Sequence, residues 1–225
     1  MKRILAILIL STTTVSFVAP FFGGNKDTIK TDVAAQEEST EQINEDKEKV
    51  QEVVKEEKSE LEIAQGEYDI KLANLSQMNL SKEGWFKEYK ILVDEYSYIL
   101  NKPETIYDKF TQPELDLLFR VVQAEIGSEY SFEQKCNVVS VIYNRLADER
   151  FGNTISEILV SHQFSTISNG AIYKVTVDEK TKLACEYVYL FGDTTNGALF
   201  FDSNGRLNYQ FVFNDGAHNF YTKRK

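Results

Sequence analysis

Basic residues are in short supply in this chain: 25 Lys and Arg stand against 35 Asp and Glu, a formal net charge of −10 over 225 residues. Most of the acidic excess lies in the first third, and no basic stripe exists to neutralise phosphates. Nucleic acid is therefore not expected as a partner. Histidine is scarcer still. His162 and His218 are the only two, too few for a His-rich zinc site, so that only a mixed site with carboxylates would remain open. The two cysteines, Cys136 and Cys185, lack the spacing of a metal clip. Both fall at apolar positions of predicted helices, so buried thiols are expected in preference to a disulfide between those helices. There is no Gly-rich phosphate loop and no internal repeat. No metal and no cofactor are expected.

What is present is length enough for one core with appendages. Lys2 and Arg3 precede apolar runs at 4–10 and 15–22, so residues 1–24 read as either a cleaved export signal or a retained membrane anchor. Residues 25–66 are dominated by Glu, Lys, Gln and Asp and cannot build a core. They read as an acidic tether, a solvated helix or an extended spacer between the export segment and a folded domain. Aromatic residues return over 67–112. Trp85, Tyr89, Leu92, Tyr96 and Ile99 keep helical spacing, with Ser81 and Pro103 as boundaries, which predicts a helical extension docked on a core.

The stretch 111–127, TQPELDLLFRVVQAEIG, carries the strongest local signal. Thr111 and Glu114 form a capping box and Pro113 sits in the first turn, so a helix starts here. Leu115, Leu118, Phe119 and Val122 mark its apolar face, and Glu125 falls on that same stripe. Gly127 is expected to end the helix as a left-handed residue. Glu125 would then lie in the last turn, beside apolar neighbours and near the negative end of the helix dipole, and both influences favour the protonated acid. A carboxyl kept neutral near pH 7 suits protonation of a glycosidic oxygen. The same position equally fits a terminal-turn residue that swings into solvent.

Further capped helices are predicted from Ser131 with Gln134, from Thr154 with Glu157, and from Thr176 with Glu179, the last ending at Gly192. The pattern then changes to two strands, 198–202 and 208–213, joined across a turn at 203–206. The fold class is α+β: a mainly helical domain over 113–225 with a small antiparallel β element.

Several segments, in order, resemble the SleB-type cell wall hydrolases, the family of spore-cortex-lytic enzymes and their relatives. They are LFRVVQAEIGSEY, NVVSVIYNRLADERFGNTISEIL, HQFSTISNG and GALFFDS, spread over roughly residues 117–221. The resemblance implies a lysozyme-like fold that cuts peptidoglycan glycan strands outside the cytoplasm, with the glutamate of the "AE" segment as acid and base. That position is Glu125. Gly152 stands where the family often has proline, and Phe200 and Phe201 where it often has tyrosines, so no phenolic hydroxyl acts there.

A hydrolase needs a second carboxylate across the scissile bond, and Glu129 and Asp202 are the nearest candidates. A lytic transglycosylase, which the resemblance suggests, needs one. Gln163 and Ser165 are expected to hydrogen-bond the sugar, or alternatively to cap their loop, and Phe201 is expected to contact it. Asn144 and Arg145 are expected to interact with the helix C-terminus or in a salt bridge, and His218 to satisfy a backbone carbonyl in preference to the alternative of orienting a substrate. The rivals are an N-acetylmuramidase, a wall peptidase or amidase using Cys136 and His218, and a wall-binding module without catalysis.

Overall fold

The structure, a computed structural model, describes residues 32–223. The expected export segment at 1–24 lies outside the described residues. The chain divides into two units, Met1–Glu57 and Lys58–Lys225. Among the described residues the first unit contains only the N-terminal part of helix α1, Asp32–Gln77. Its Glu-, Lys- and Gln-rich sequence suits a solvated helix, because straight-chain residues lose little rotamer freedom there. The helix runs unbroken through Gly66, where the tether was expected to end.

In the second unit the last turns of α1 bring Tyr68 and Leu72 against Leu92 and Tyr96 of the next segment. Helix α2, Lys82–Glu95, starts where expected, with Ser81 Oγ accepting from the Gly84 N–H at 3.1 Å. It stops short of Pro103 because residues 96–100 turn. Phe86 on its inner face is fully buried and meets Tyr187 and Phe191 edge-on at 5.3 and 5.9 Å. The aromatic row is thus a docking face. A short α3, Ile106–Lys109, follows with its own Thr105–Asp108 capping box.

Helix α4, Gln112–Glu125, opens with the expected box from Thr111 and Glu114. It ends differently. Gly127 is not left-handed; instead Ile126 turns extended, with φ −142 and ψ 103. An extended exit buries the Ile126 side chain completely. The Glu129 carboxylate lies over Gly127, where a Cβ would displace that exposed side chain.

Helix α5, Phe132–Leu146, is the most enclosed element, with ten buried residues along its length, so it runs through the core rather than over it. Short helices α6, Ile155–Ile158, and α7, Ser165–Ser168, lead to α8, Glu179–Phe191, which lies along α5. The cap of α8 is Asp178 rather than Thr176: its Oδ1 accepts from the Thr181 N–H at 2.7 Å. Gly192, at φ +91, ends the helix as expected.

The sheet corrects the predicted hairpin. Strands β1, Phe200–Asp202, and β2, Gln210–Asn214, do not pair with each other. A third strand, β3, Asn219–Thr222, lies between them and is antiparallel to both. Phe220 of β3 is fully buried with Val141 and Ala198, and that burial fixes the central strand. The fold is mainly helical with a small three-stranded antiparallel sheet.

Candidate active site

The end of α4 is held from below by a buried polar network. Lys135 of α5 is 0% exposed and donates to the Ile126 carbonyl at 3.0 Å and to Thr181 Oγ1 at 2.9 Å, with Asp178 Oδ2 3.6 Å away. Gln123 Oε1 accepts from Thr181 Oγ1 at 2.7 Å and from the Asp178 N–H at 3.1 Å, while its Nε2 donates to Ser128 Oγ at 3.0 Å. An ammonium at a helix C-terminus satisfies carbonyls that have no intrahelical partner. The backbone carrying Glu125 is therefore fixed.

Glu125, the last residue of α4, is half-buried at a cleft of about 440 Å³. Burial pushes its carboxyl above the ordinary value of 4.5; the Thr166 hydroxyl, the Thr166 backbone N–H and the Arg145 guanidinium act in the opposite direction but do not cancel it. The hydroxyl donates to Oε1 at 2.6 Å. Desolvation disfavours the charged form more than these groups favour it.

Arg145 lies in the last turn of α5 as expected, but its partners are neither the helix C-terminus nor a carboxylate. It is 5% exposed and spans the floor of the cleft, donating from Nε to the Leu199 carbonyl at 2.7 Å and from Nη1 to Gln163 Oε1 at 3.0 Å. Phe151, Phe164 and Phe200 surround its guanidinium at 5.2, 5.0 and 5.6 Å. Its neighbour Asn144 donates to Asp193 and to the Ala198 carbonyl, tying α5 to the approach to β1.

Gln163, Ser165 and Phe201 all line the cleft. Because arginine has donors only, the Gln163 amide turns its oxygen inward. Its side chain thus serves Arg145 rather than capping the loop. Asp202 also lines the cleft, but its carboxyl is engaged. Burial alone would raise it; the Arg206 N–H at 2.7 Å, the Tyr221 hydroxyl at 3.0 Å and the Gly205 N–H at 3.0 Å outweigh that and hold it below the usual carboxylate value. Glu129 is exposed and is not among the lining residues.

His218 corrects its expectation too. It lines the cleft at 8% exposure, and its ring Nδ1 is buried without a hydrogen-bond partner. No carbonyl is satisfied by it. Cys136 is in the core, its thiol pushed up to about 12 by burial, and both cysteines are free. The cleft does not bring Cys136 to His218. Among the described residues no group of three or more His, Cys, Asp or Glu side chains is arranged to hold a metal ion.

Sequence reasoning missed Thr166 and Arg145. Thr166 follows the glutamine and serine of the HQFSTISNG segment, and Arg145 belongs to the VIYNR segment, so motif membership was the available signal. The sequence from 129 to 222 matches the family model described as Cell Wall Hydrolase. The chain carries a cell wall hydrolase domain. A peptidoglycan substrate and action outside the cytoplasm follow from that family. The match begins after Glu125. No curated protein matches the sequence. Among solved structures, the catalytic domain of the germination-specific lytic transglycosylase SleB from Bacillus anthracis is similar at 21% identity, covering 52% of this chain and 100% of that one, with a TM-score of 0.46. The catalytic domain of the Bacillus cereus SleB protein is similar at 22% identity, covering 55% and 100%, with a TM-score of 0.46.

Proposed function

We propose that this cell wall hydrolase domain cleaves peptidoglycan glycan strands as a lytic transglycosylase with Glu125 as its single acid and base. The protonated carboxyl gives its proton to the bridging oxygen as the bond from that oxygen to the sugar C1 breaks. The substrate's own N-acetyl oxygen stabilises the cation at C1. Glu125, now ionised, takes the proton of the same sugar's C6 hydroxyl, and O6 closes on C1 to leave a 1,6-anhydromuramoyl end. The proton on Glu125 is restored and no water is consumed. Thr166 holds Oε1, so the proton is carried on the other oxygen. Gln163, with its oxygen committed to Arg145, offers its NH2 to the sugar; Ser165 offers its hydroxyl and Phe201 an apolar surface.

The observation that carries this reading is the contrast between two carboxyls in one cleft. Glu125 is raised by burial, while Asp202 is lowered by its turn donors. Pairs pushed apart in this way mark acid and base assignments, so the same contrast supports a muramidase in which Asp202 acts across the bond. The oxygens of Asp202 are taken by the turn, which favours the single-acid route. Incubating the full chain with peptidoglycan and weighing the products separates the readings. Anhydro muropeptides, one water lighter, are expected. Reducing ends indicate the muramidase, freed peptides an amidase, and binding without products a wall-binding module.

The pH dependence provides a second test. A general acid must be protonated, so activity declines as pH rises through the Glu125 pKa, with the descending limb above 4.5. In Thr166→Val that limb moves further up, because the donor favouring the carboxylate is gone. An unmoved limb counts against Glu125 as the titrating acid.

In this reading residues 1–24 export the chain or anchor it, 25–66 form a tether, 67–112 are a helical extension, and 113–225 carry catalysis.

A further inference from the structure

The proposed chemistry leaves the most unusual polar group in the cleft without a role. His218 sits at the start of β3 in a tightly built turn. Its N–H donates to Asp215 Oδ1 at 2.8 Å, and its carbonyl accepts from the Asp215 N–H at 3.1 Å. That turn is fastened to α5: Gln134 Nε2 donates to the Asp215 carbonyl at 2.9 Å, and Asn137 Nδ2 to Asp215 Oδ2 at 3.0 Å. The ring stands edge-on to Phe201 at 5.0 Å and to Phe220 at 6.3 Å. The imidazole therefore has little freedom.

Its enclosed nitrogen dictates the tautomer. An N–H buried without an acceptor is costlier than a bare ring nitrogen without a donor, so Nδ1 stays unprotonated and Nε2 carries the hydrogen. Burial lowers the pKa of the ring; the carboxylates Asp215 and Asp202 act the other way, and Glu125 and Arg145 are the other charged groups around the cleft. The neutral ring is the form at pH 7. A buried imidazole with an unmet nitrogen would be replaced by phenylalanine at no loss of packing if packing were its only purpose.

We infer that His218 is a substrate-binding residue that presents its Nε2–H to an oxygen of an N-acetylated glycan strand, a hydroxyl or the N-acetyl carbonyl, in the cleft beside Glu125. This rests on the glycan-cleaving reading above. One neutral hydrogen bond contributes about threefold to tenfold in affinity.

The experiment separates binding from cleavage. In the full-length Glu125→Gln background, affinity for soluble peptidoglycan glycan fragments is measured with His218, His218→Phe and His218→Gln, alongside thermal stability. The Phe variant fills the same space and removes the orphan nitrogen, so its Tm should equal or exceed that of the parent. Its affinity should fall about threefold to tenfold. Gln places an N–H near the Nε2 position and should recover most of the loss. Unchanged affinity in the Phe variant overturns the inference while leaving the glycan-cleaving reading intact. A loss of affinity matched by a loss of Tm also overturns it, since His218 would then act through the fold. A parent that neither binds nor, with Glu125 restored, cuts glycan overturns both.

Discussion

Glu125→Gln is expected to lower the rate of muropeptide release by about 10²- to 10⁴-fold, the usual contribution of a positioned general acid, while leaving the fold intact or firmer. Glutamine keeps an oxygen for the Thr166 hydroxyl, which donates at 2.6 Å in the parent, so the local geometry survives. Only the transferable proton is lost. The stability change has a definite sign. A carboxyl whose folded pKa is raised contributes stability that is fully present below its unfolded value and is lost as pH rises through the folded one. For Glu125 the unfolded value is near 4.5 and the folded one is higher. Above the folded value the parent therefore carries an ionised, half-buried carboxylate that the variant does not. The Tm of Glu125→Gln should match the parent in acid and exceed it once the pH is above the folded value. Scanning calorimetry at both pH values, beside a muropeptide assay, tests the two halves separately. Full activity in a normally folded variant would remove Glu125 from the mechanism.

Arg145→Met should produce the largest loss of stability among cleft substitutions. The parent guanidinium is buried, its pKa lowered to about 10 by desolvation, and charged at neutral pH. Methionine retains contact with Phe151, Phe164 and Phe200. It leaves the Leu199 carbonyl and Gln163 Oε1 without their donors, and each unsatisfied group costs about 1–3 kcal/mol. Relief of the buried charge offsets part of this. A net loss of about 3 kcal/mol lowers Tm by roughly 6–12 °C for a domain of this size. The kinetic consequence is separate from the thermal one. Arg145 lowers the Glu125 pKa, so its removal moves the descending limb of the pH–rate profile to higher pH. A merely structural arginine would change Tm and leave the limb in place. A variant with parental Tm and an unshifted profile would show that the cleft floor does not depend on this side chain.

Most helix starts could be read from the residues, because a cap is a contact over three positions. Thr111 with Glu114, Ser131 with Gln134, and Thr154 with Glu157 all cap as their spacing suggests. Thr176 failed where Asp178 succeeded; the two lie close enough in sequence to compete, and the carboxylate also meets the buried Lys135. Gly127 failed for a related reason. Its neighbour Ile126 gains more by entering the core through an extended turn than the chain gains from a left-handed cap.

Sequence alone settled the helical character of the domain, the position of Glu125 in the last turn of its helix, and the family that the resemblance named. All three depend on neighbours a few positions apart, or on residue identity in order. The direction of the Glu125 shift was legible from its place on the apolar stripe, but the balance that sets it was not. It depends on Thr166, forty-one positions away, on the cleft that removes water, and on Arg145 being drawn inward by a strand-side carbonyl and three aromatic rings. The central strand β3 and the enclosed His218 belong to the same category. Their places are fixed by burial against α5 and β1, and burial arises only when distant segments have folded onto one another.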